Sequence, residues 1–210
     1  MGGACTSASR PQPFDGSGDM SERFDLTSLR GRLRPQPTLQ TQENLAQAAV
    51  AIVINPDDQG GTVLLIRRTE RSGDPWSGQI GFPGGHKSPG DEGLLQTAIR
   101  ETEEEIGIEL VQHELLGALP LVTTRSRRVQ VAPFAFALEF PVTLRTNREV
   151  AESFWMPLAE LARLEPKPRP VHVDEGDLEV SSYDYQGRII WGLTFRILNL
   201  LLDRKLDDDA

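Results

Sequence analysis

The segment Gly84–Leu110 reads GGHKSPGDEGLLQTAIRETEEEIGIEL, and its second half decides the fold. From Leu94 to Ile106 the buried positions recur at three and four residues: Leu95, Ala98 or Ile99, Thr102 and Ile106. That spacing predicts an amphipathic helix. Asp91 stands where an N-cap belongs, and Gly107 where a helix stops. Off the stripe lie Glu101, Glu104 and Glu105, with Glu103 pointing away from them into solvent. Residues three and four apart share a helix face, so the three carboxylates can reach a common point. Alone they are unfavourable there, because like charges one turn apart repel and the helix dipole disfavours anions near the C-terminus. A divalent cation removes both problems, and hard oxygen ligands suit Mg2+ or Mn2+. The bland alternative is a solvated acidic face.

Working outward, Ala48–Asn55 (AAVAIVIN) is an apolar β-rich run, Asn55–Gly61 a turn and Thr62–Arg67 the returning strand. Arg128–Leu138 reads as another strand, in which Pro133 suggests an edge or a bulge. Pro157–Leu164 reads as a short helix with proline in its first turn, and Pro166–Pro170 (PKPRP) as a rigid linker. Leu178–Trp191 holds two strand-like pieces around Gln186-Gly187. Leu193–Arg204 reads as a helix with Leu193, Ile197, Leu200 and Leu201 on one stripe. Alternating strands and helices predict an α/β domain with helices packed on a sheet.

The 210 residues divide on composition into a patternless tail at 1–20, one domain at 21–206 and an acidic tail at 207–210. No apolar run approaches the ~20 residues of a membrane helix, so no membrane partner is expected. The single cysteine, Cys5, leaves no disulfide framework or cysteine zinc site and fits a reducing compartment, hence a cytoplasmic expectation. Twenty-two basic against 31 acidic residues give a net charge of −9, which argues against a nucleic-acid coat, and nothing suggests sequence-specific nucleic-acid reading. An acidic protein with a phosphate substrate needs a metal or local arginines to hold it. His86 borders the glycine pair and can touch a substrate, whereas His113 and His172 read as surface residues.

Glu92, seven residues, then Arg100-Glu101-Thr102-Glu103-Glu104-Glu105-Ile106-Gly107-Ile108 resembles the Nudix box, Gly-x5-Glu-x7-Arg-Glu-U-x-Glu-Glu-x-Gly-U, where U is a bulky apolar residue. Two positions depart from it: Thr102 replaces an aliphatic residue, and six residues rather than five separate Gly85 from Glu92. The resemblance implies a Nudix-type α/β/α sandwich with a mixed sheet and a loop-helix-loop catalytic motif. It implies metal binding by Glu101, Glu104, Glu105 and a backbone carbonyl at Gly84 or Gly85. Arg100 would be structural, pairing with nearby carboxylates to fix the loop on the helix, and Glu92 structural rather than catalytic.

The likeness extends over most of residues 45–203. Leu64–Arg68, Gly78–Gly85, Glu149–Glu152 and Ile190–Thr194 resemble the coenzyme A pyrophosphatase branch of that family, where the longer loop is also usual. By that resemblance Arg67, Arg68 and Arg71 face the substrate. The branch's further arginine before Gly78 is missing, and Asp74-Pro75-Trp76 stands there instead. Arg125, Arg127 and Arg128 form a second cluster able to grip phosphate, or else a solvated loop. The expected partner is a small-molecule nucleoside diphosphate derivative, with a homodimer left open. The expected reaction is metal-dependent hydrolysis of a phosphoanhydride in coenzyme A or a derivative. The alternatives are another nucleotide diphosphate substrate and a non-catalytic binding module. The proton of the attacking water would pass to a helix glutamate, to Glu149 or to Glu152, the last two being equally readable as caps near Pro157.

Overall fold

The computed structural model describes residues 26–34, 45–58, 60–73, 76–124, 129–173 and 176–204. The tails at 1–20 and 207–210, Asp74-Pro75 and the arginines at 125, 127 and 128 lie outside the described residues.

Strand β1 (Ala46–Asn55) runs parallel to β7 (Val129–Ala137) through nine register pairs, from Ala46↔Val129 to Ile54↔Ala137. On its other edge β1 has two partners. Strand β2 (Thr62–Arg68) meets only its end, at Ile54↔Val63 and Asn55↔Thr62, and then diverges. The segment Ile80–His86 fills the opening, with β3 (Ile80–Gly81) on β2 and β4 (Gly84–His86) on β1. The Gly84-Gly85 pair is therefore fixed in a sheet whose neighbouring strands have split apart. Strands β5 (Glu114–Ala118) and β6 (Val122–Thr123) pair with β7, and β8 (Val150–Pro157) pairs with the far edge of β2. A smaller antiparallel sheet holds β9 (Lys167–Val173), β10 (Gly176–Tyr185) and β11 (Arg188–Trp191).

Alternation along the strands sends side chains to two cores. Ala49, Ala51, Val53, Leu64 and Ile66 pack with Leu94, Ala98 and Ile106 of helix α2 (Leu94–Ile106). Ile52, Ile54, Val63 and Leu65 pack on the opposite face with Phe195, Ile197 and Leu198 of α4 (Gly192–Leu201). Leu29 of α1 (Leu26–Arg32), Leu158 and Leu161 of α3 (Leu158–Arg163), Tyr183 and Tyr185 join that second core. The architecture is the expected α/β arrangement, a mixed sheet between helices.

Several local expectations are corrected. Pro133 lies inside the sheet rather than at an edge. Its carbonyl accepts from the Leu119 N–H, so its nitrogen faces the same side, at the junction between β5 and β6 where no strand needs a donor. The PKPRP stretch is not a linker but part of edge strand β9, where alternate residues turn away from β10 and tolerate proline. On α2 the buried positions are Leu94, Thr97, Ala98, Thr102, Glu105 and Ile106, with Leu95 and Ile99 only half-buried. On α4, Leu198 is buried and Leu193 and Leu200 are half-buried. His113 is buried against Phe140, and its Nδ1 accepts from the Glu139 N–H. Burial pushes its pKa down. The side chain of His172 lies outside the described residues. The expected turn at Gln186-Gly187 is present, with φ of 54° and 79° at its two residues, and joins β10 to β11.

Candidate active site

Helix α2 begins without a side-chain cap at Gly93 and ends at Gly107, whose φ of 71° lets its N–H bond back to the Glu103 carbonyl. Asp91 does not cap the helix. It is buried and accepts from the Ser88 N–H at 2.8 Å, from Thr97 Oγ1 at 2.9 Å, and from Arg100 Nε and Nη2 at 3.0 and 2.9 Å. The Arg100 guanidinium and the Ser88 amide hold this carboxyl well below the usual carboxylate range, and Asp91 in turn raises Arg100. The remaining donors of Arg100 reach Glu101 Oε1 at 2.8 Å, Glu104 Oε2 at 3.3 Å and the His86 carbonyl at 3.3 Å. Arg100 thus joins the loop to the helix, as expected, but through Asp91; Glu92 is exposed, and its backbone N–H donates to the Gln96 side chain.

Glu105 is 2% exposed. Its Oε2 accepts from the Gly84 N–H at 2.9 Å, and its Oε1 lies 3.7 Å from Arg68 Nη1. Burial pushes its pKa up to about 7, despite the Gly84 amide and Arg68, with Glu101 and Glu149 adding like charge. The sheet brings Gly85 against Glu101 so closely that a Cβ there would stand 2.5 Å from the Glu101 carboxyl carbon. Glu103 and Glu104 are exposed.

The segment after β7 closes the C-terminal end of α2. The Arg145 and Asn147 N–H groups donate to the Ile106 and Glu105 carbonyls, satisfying end-of-helix acceptors. Asn147 Oδ1 accepts from the Glu149 N–H, and the Glu149 carbonyl accepts from the Thr69 N–H. Glu149 is thereby set beside Glu105, with Arg71 Nη1 at 3.1 Å from its carboxylate.

The family profile described as NUDIX domain matches residues 45–174. The chain belongs to the Nudix family. Two similar proteins share the name "Uncharacterized Nudix hydrolase NudL". One, from Yersinia enterocolitica, is 33% identical over 80% of this chain and 85% of its own length. The other, from Photorhabdus laumondii, is 35% identical over 87% of this chain and 94% of its own. A solved MutT/nudix family protein from Enterococcus faecalis superimposes with a TM-score of 0.51 at 18% identity, over 79% of this chain and 63% of that one, a likeness of fold. This chain is a Nudix hydrolase, of the class that acts on diphosphate-containing substrates.

On this Nudix scaffold the expected residues separate into three groups. Glu101, Glu105, Gly85, Arg68, Glu149 and Arg71 gather around the end of α2, with Glu104 on its exposed side. Glu152 and Arg67 do not join them. They form a register pair whose side chains turn to the opposite face of β2, where Glu152 pairs with Arg67 at 2.8 Å and also with Arg188. Arg188 lies over the Phe154 ring in that second core. The arginines at 125, 127 and 128 lie outside the described residues. Asp91 anchors the loop instead of capping the helix, and the sequence signal for it is the box spacing itself, since five residues separate it from Gly85.

Among the described residues no three His, Cys, Asp or Glu side chains stand together as a finished metal cage. The donor set nevertheless fits a hard divalent cation. A desolvated carboxylate, Glu105, lies in the field of Glu101 and Glu149, and the Gly85 backbone sits against the Glu101 carboxyl with no Cβ between them.

Proposed function

We propose that this chain hydrolyses the diphosphate bond of a nucleoside diphosphate linked to a second group, coenzyme A or a derivative being preferred, with Mg2+ or Mn2+ in the cytoplasm. The observation that carries the reading is the buried Glu105, raised toward pH 7 and set against Gly84, Arg68 and Glu149. Glu101, Glu105, the solvent-side Glu104 and the Gly85 carbonyl would hold the metal, which supplies charge neutralisation for the diphosphate and activation of water. The protein's own groups do the rest. Arg100 holds Glu101 against the glycine strand. Arg68 and Arg71 stand at the same end of β2 and offer guanidinium groups to phosphate oxygens.

Glu149 is the better acceptor for the water's proton. It shares a corner with Glu105, whereas Glu152 is taken up by two arginines across the sheet. Coenzyme A rests on the resemblance of Leu64–Arg68 and Gly78–Gly85 to that branch. The test is a screen of coenzyme A, ADP-ribose, NADH, nucleotide sugars and nucleoside triphosphates with each metal, with products identified by mass. Release of 4′-phosphopantetheine and an adenosine phosphate at the highest kcat/KM supports the reading. Preference for another diphosphate overturns the coenzyme A part, and no hydrolysis of any overturns the whole.

A further inference from the structure

The loop between the glycine pair and α2 is one residue longer than the box pattern, so two acidic residues compete for one structural place. Five residues intervene between Gly85 and Asp91, and seven between Glu92 and Arg100. No single carboxylate satisfies both counts. We propose that Asp91, and not the pattern-matching Glu92, is the positioning residue of the metal-binding corner, acting through Arg100. The proposal rests on the diphosphate-hydrolase reading.

The side chains divide the roles unequally. Asp91 is 6% exposed and both its oxygens are engaged. Oδ1 takes Arg100 Nε, while Oδ2 takes Arg100 Nη2, Thr97 Oγ1 and the Ser88 N–H. The Asp91 N–H returns a bond to the Ser88 carbonyl, so the loop closes on itself at this residue. Glu92 is exposed and contributes a backbone bond to Gln96.

The consequence is geometric. A two-pronged contact fixes a planar guanidinium in orientation as well as in place. With Nε and Nη2 of Arg100 committed to Asp91, Nη1 is left at 2.8 Å from Glu101 Oε1. Nη2 also meets the His86 carbonyl, one residue after the glycine that Glu101 abuts. Asp91 therefore orients Arg100, and Arg100 holds Glu101 and the glycine strand in mutual register. Without the charge on Asp91 the guanidinium turns to Glu101 and Glu104 instead, pulling Glu101 off Gly85.

The experiment compares Asp91→Asn with Glu92→Gln in the full chain. Asparagine keeps an acceptor for Ser88 and Thr97 but loses the charged two-pronged grip. Removal of groups that orient metal ligands costs roughly ten- to a hundredfold in affinity or activity. For Asp91→Asn that loss should fall on kcat, with KM within about threefold, and Mn2+ affinity by electron paramagnetic resonance should weaken in step. Hydrogen exchange at the Ser88 amide in the metal-free protein should accelerate. Glu92→Gln should match wild type within about twofold in all three readouts. In an Arg100→Lys background the further effect of Asp91→Asn should nearly vanish, which a general loss of stability would not produce. Wild-type Mn2+ affinity and Ser88 protection in Asp91→Asn would overturn the proposal, as would a loss confined to Glu92→Gln. If wild type hydrolyses no diphosphate, the functional reading fails, while the Mn2+ and exchange measurements still decide the role of Asp91.

Discussion

Two arginine–carboxylate corners flank β2 on opposite faces, and their balances of charge differ in sign. On the α2 face Arg68, Arg71 and Arg100 meet Asp91, Glu101, Glu104, Glu105 and Glu149, three cations against five anions. On the other face Arg67 and Arg188 meet Glu152, two against one. Among the described residues the first corner has more carboxylates than arginines, and one of them, Glu105, is desolvated and raised toward its neutral form. The second compensates its carboxylate fully, and one of its two arginines, Arg188, also lies over the Phe154 ring. Paired charges of the same residue types thus leave remainders of opposite sign on the two faces of one strand.

The sharpest way to break the comparison is to neutralise one carboxylate in each corner. Glu105→Gln should cut turnover by orders of magnitude, while thermal melting of the metal-free protein at pH 8 stays equal or rises. Near-normal turnover in this variant would remove the α2 corner from the chemistry. A second contrast lies between adjacent glycines. A Cβ at Gly84, at φ 151°, would fall 2.2 Å from the Ala49 carbonyl oxygen, so Gly84→Ala should destabilise by on the order of 3 kcal/mol in urea unfolding. A Cβ at Gly85 meets only the end of the Glu101 side chain, which can swing away. Gly85→Ala should therefore fold with nearly unchanged stability and lose activity. Equal melting temperatures for the two variants would contradict the split-sheet placement.

Two carboxylates of the α2 corner respond to pH in opposite ways. In metal-free protein the Glu105 carboxyl titrates at about 7 against an ordinary 4.5, so the folded state favours its neutral form. That contribution is full below pH 4.5 and is lost as pH rises through 7, an upper bound of about 3 kcal/mol. Asp91 runs the other way: its lowered pKa adds stability above its ordinary value of 3.8, lost as pH falls through the folded value. Urea melts in chelator at pH 5 and pH 8 should show the gap between wild type and Glu105→Gln moving in favour of the variant at pH 8. An unchanged gap would mean that Glu105 is not desolvated. The smallest effect belongs to the second corner. Glu152→Gln should cost about 1 kcal/mol or less, since its ion pairs are partly exposed, and leave kcat near wild type. A large loss of kcat there would move the proton acceptor to the other face.

The box helix was legible in sequence because its periodicity is local: Leu94 to Ile106 carry their own 3.6-residue pattern, and Gly107 its own stop signal. What escaped was set by distant chain. Glu105 lies in the acidic run but is buried, because strand β4 brings the Gly84 amide to it from 21 residues away. Glu149 and Glu152 look alike in sequence, three residues apart. Glu152 lies within β8 opposite Arg67, whereas Glu149 sits in the turn just before that strand, held there by Asn147 and Thr69. Asp91 misled because a residue just before a helix reads as its cap, while the helix here starts at an uncapped glycine.

Strand β4 is tied to β1 at Ala48↔His86, Ala49↔Gly85 and Val50↔Gly84, and β1 to β7 through nine further pairs. Register in a sheet is a whole-number quantity, since a slip of one residue reverses every side chain. The glycine strand can therefore stand in its working position or lose it, with no graded positions between. On warming, catalysis should hold until the central sheet melts and then vanish together with it, so that an activity curve and an unfolding curve share one midpoint.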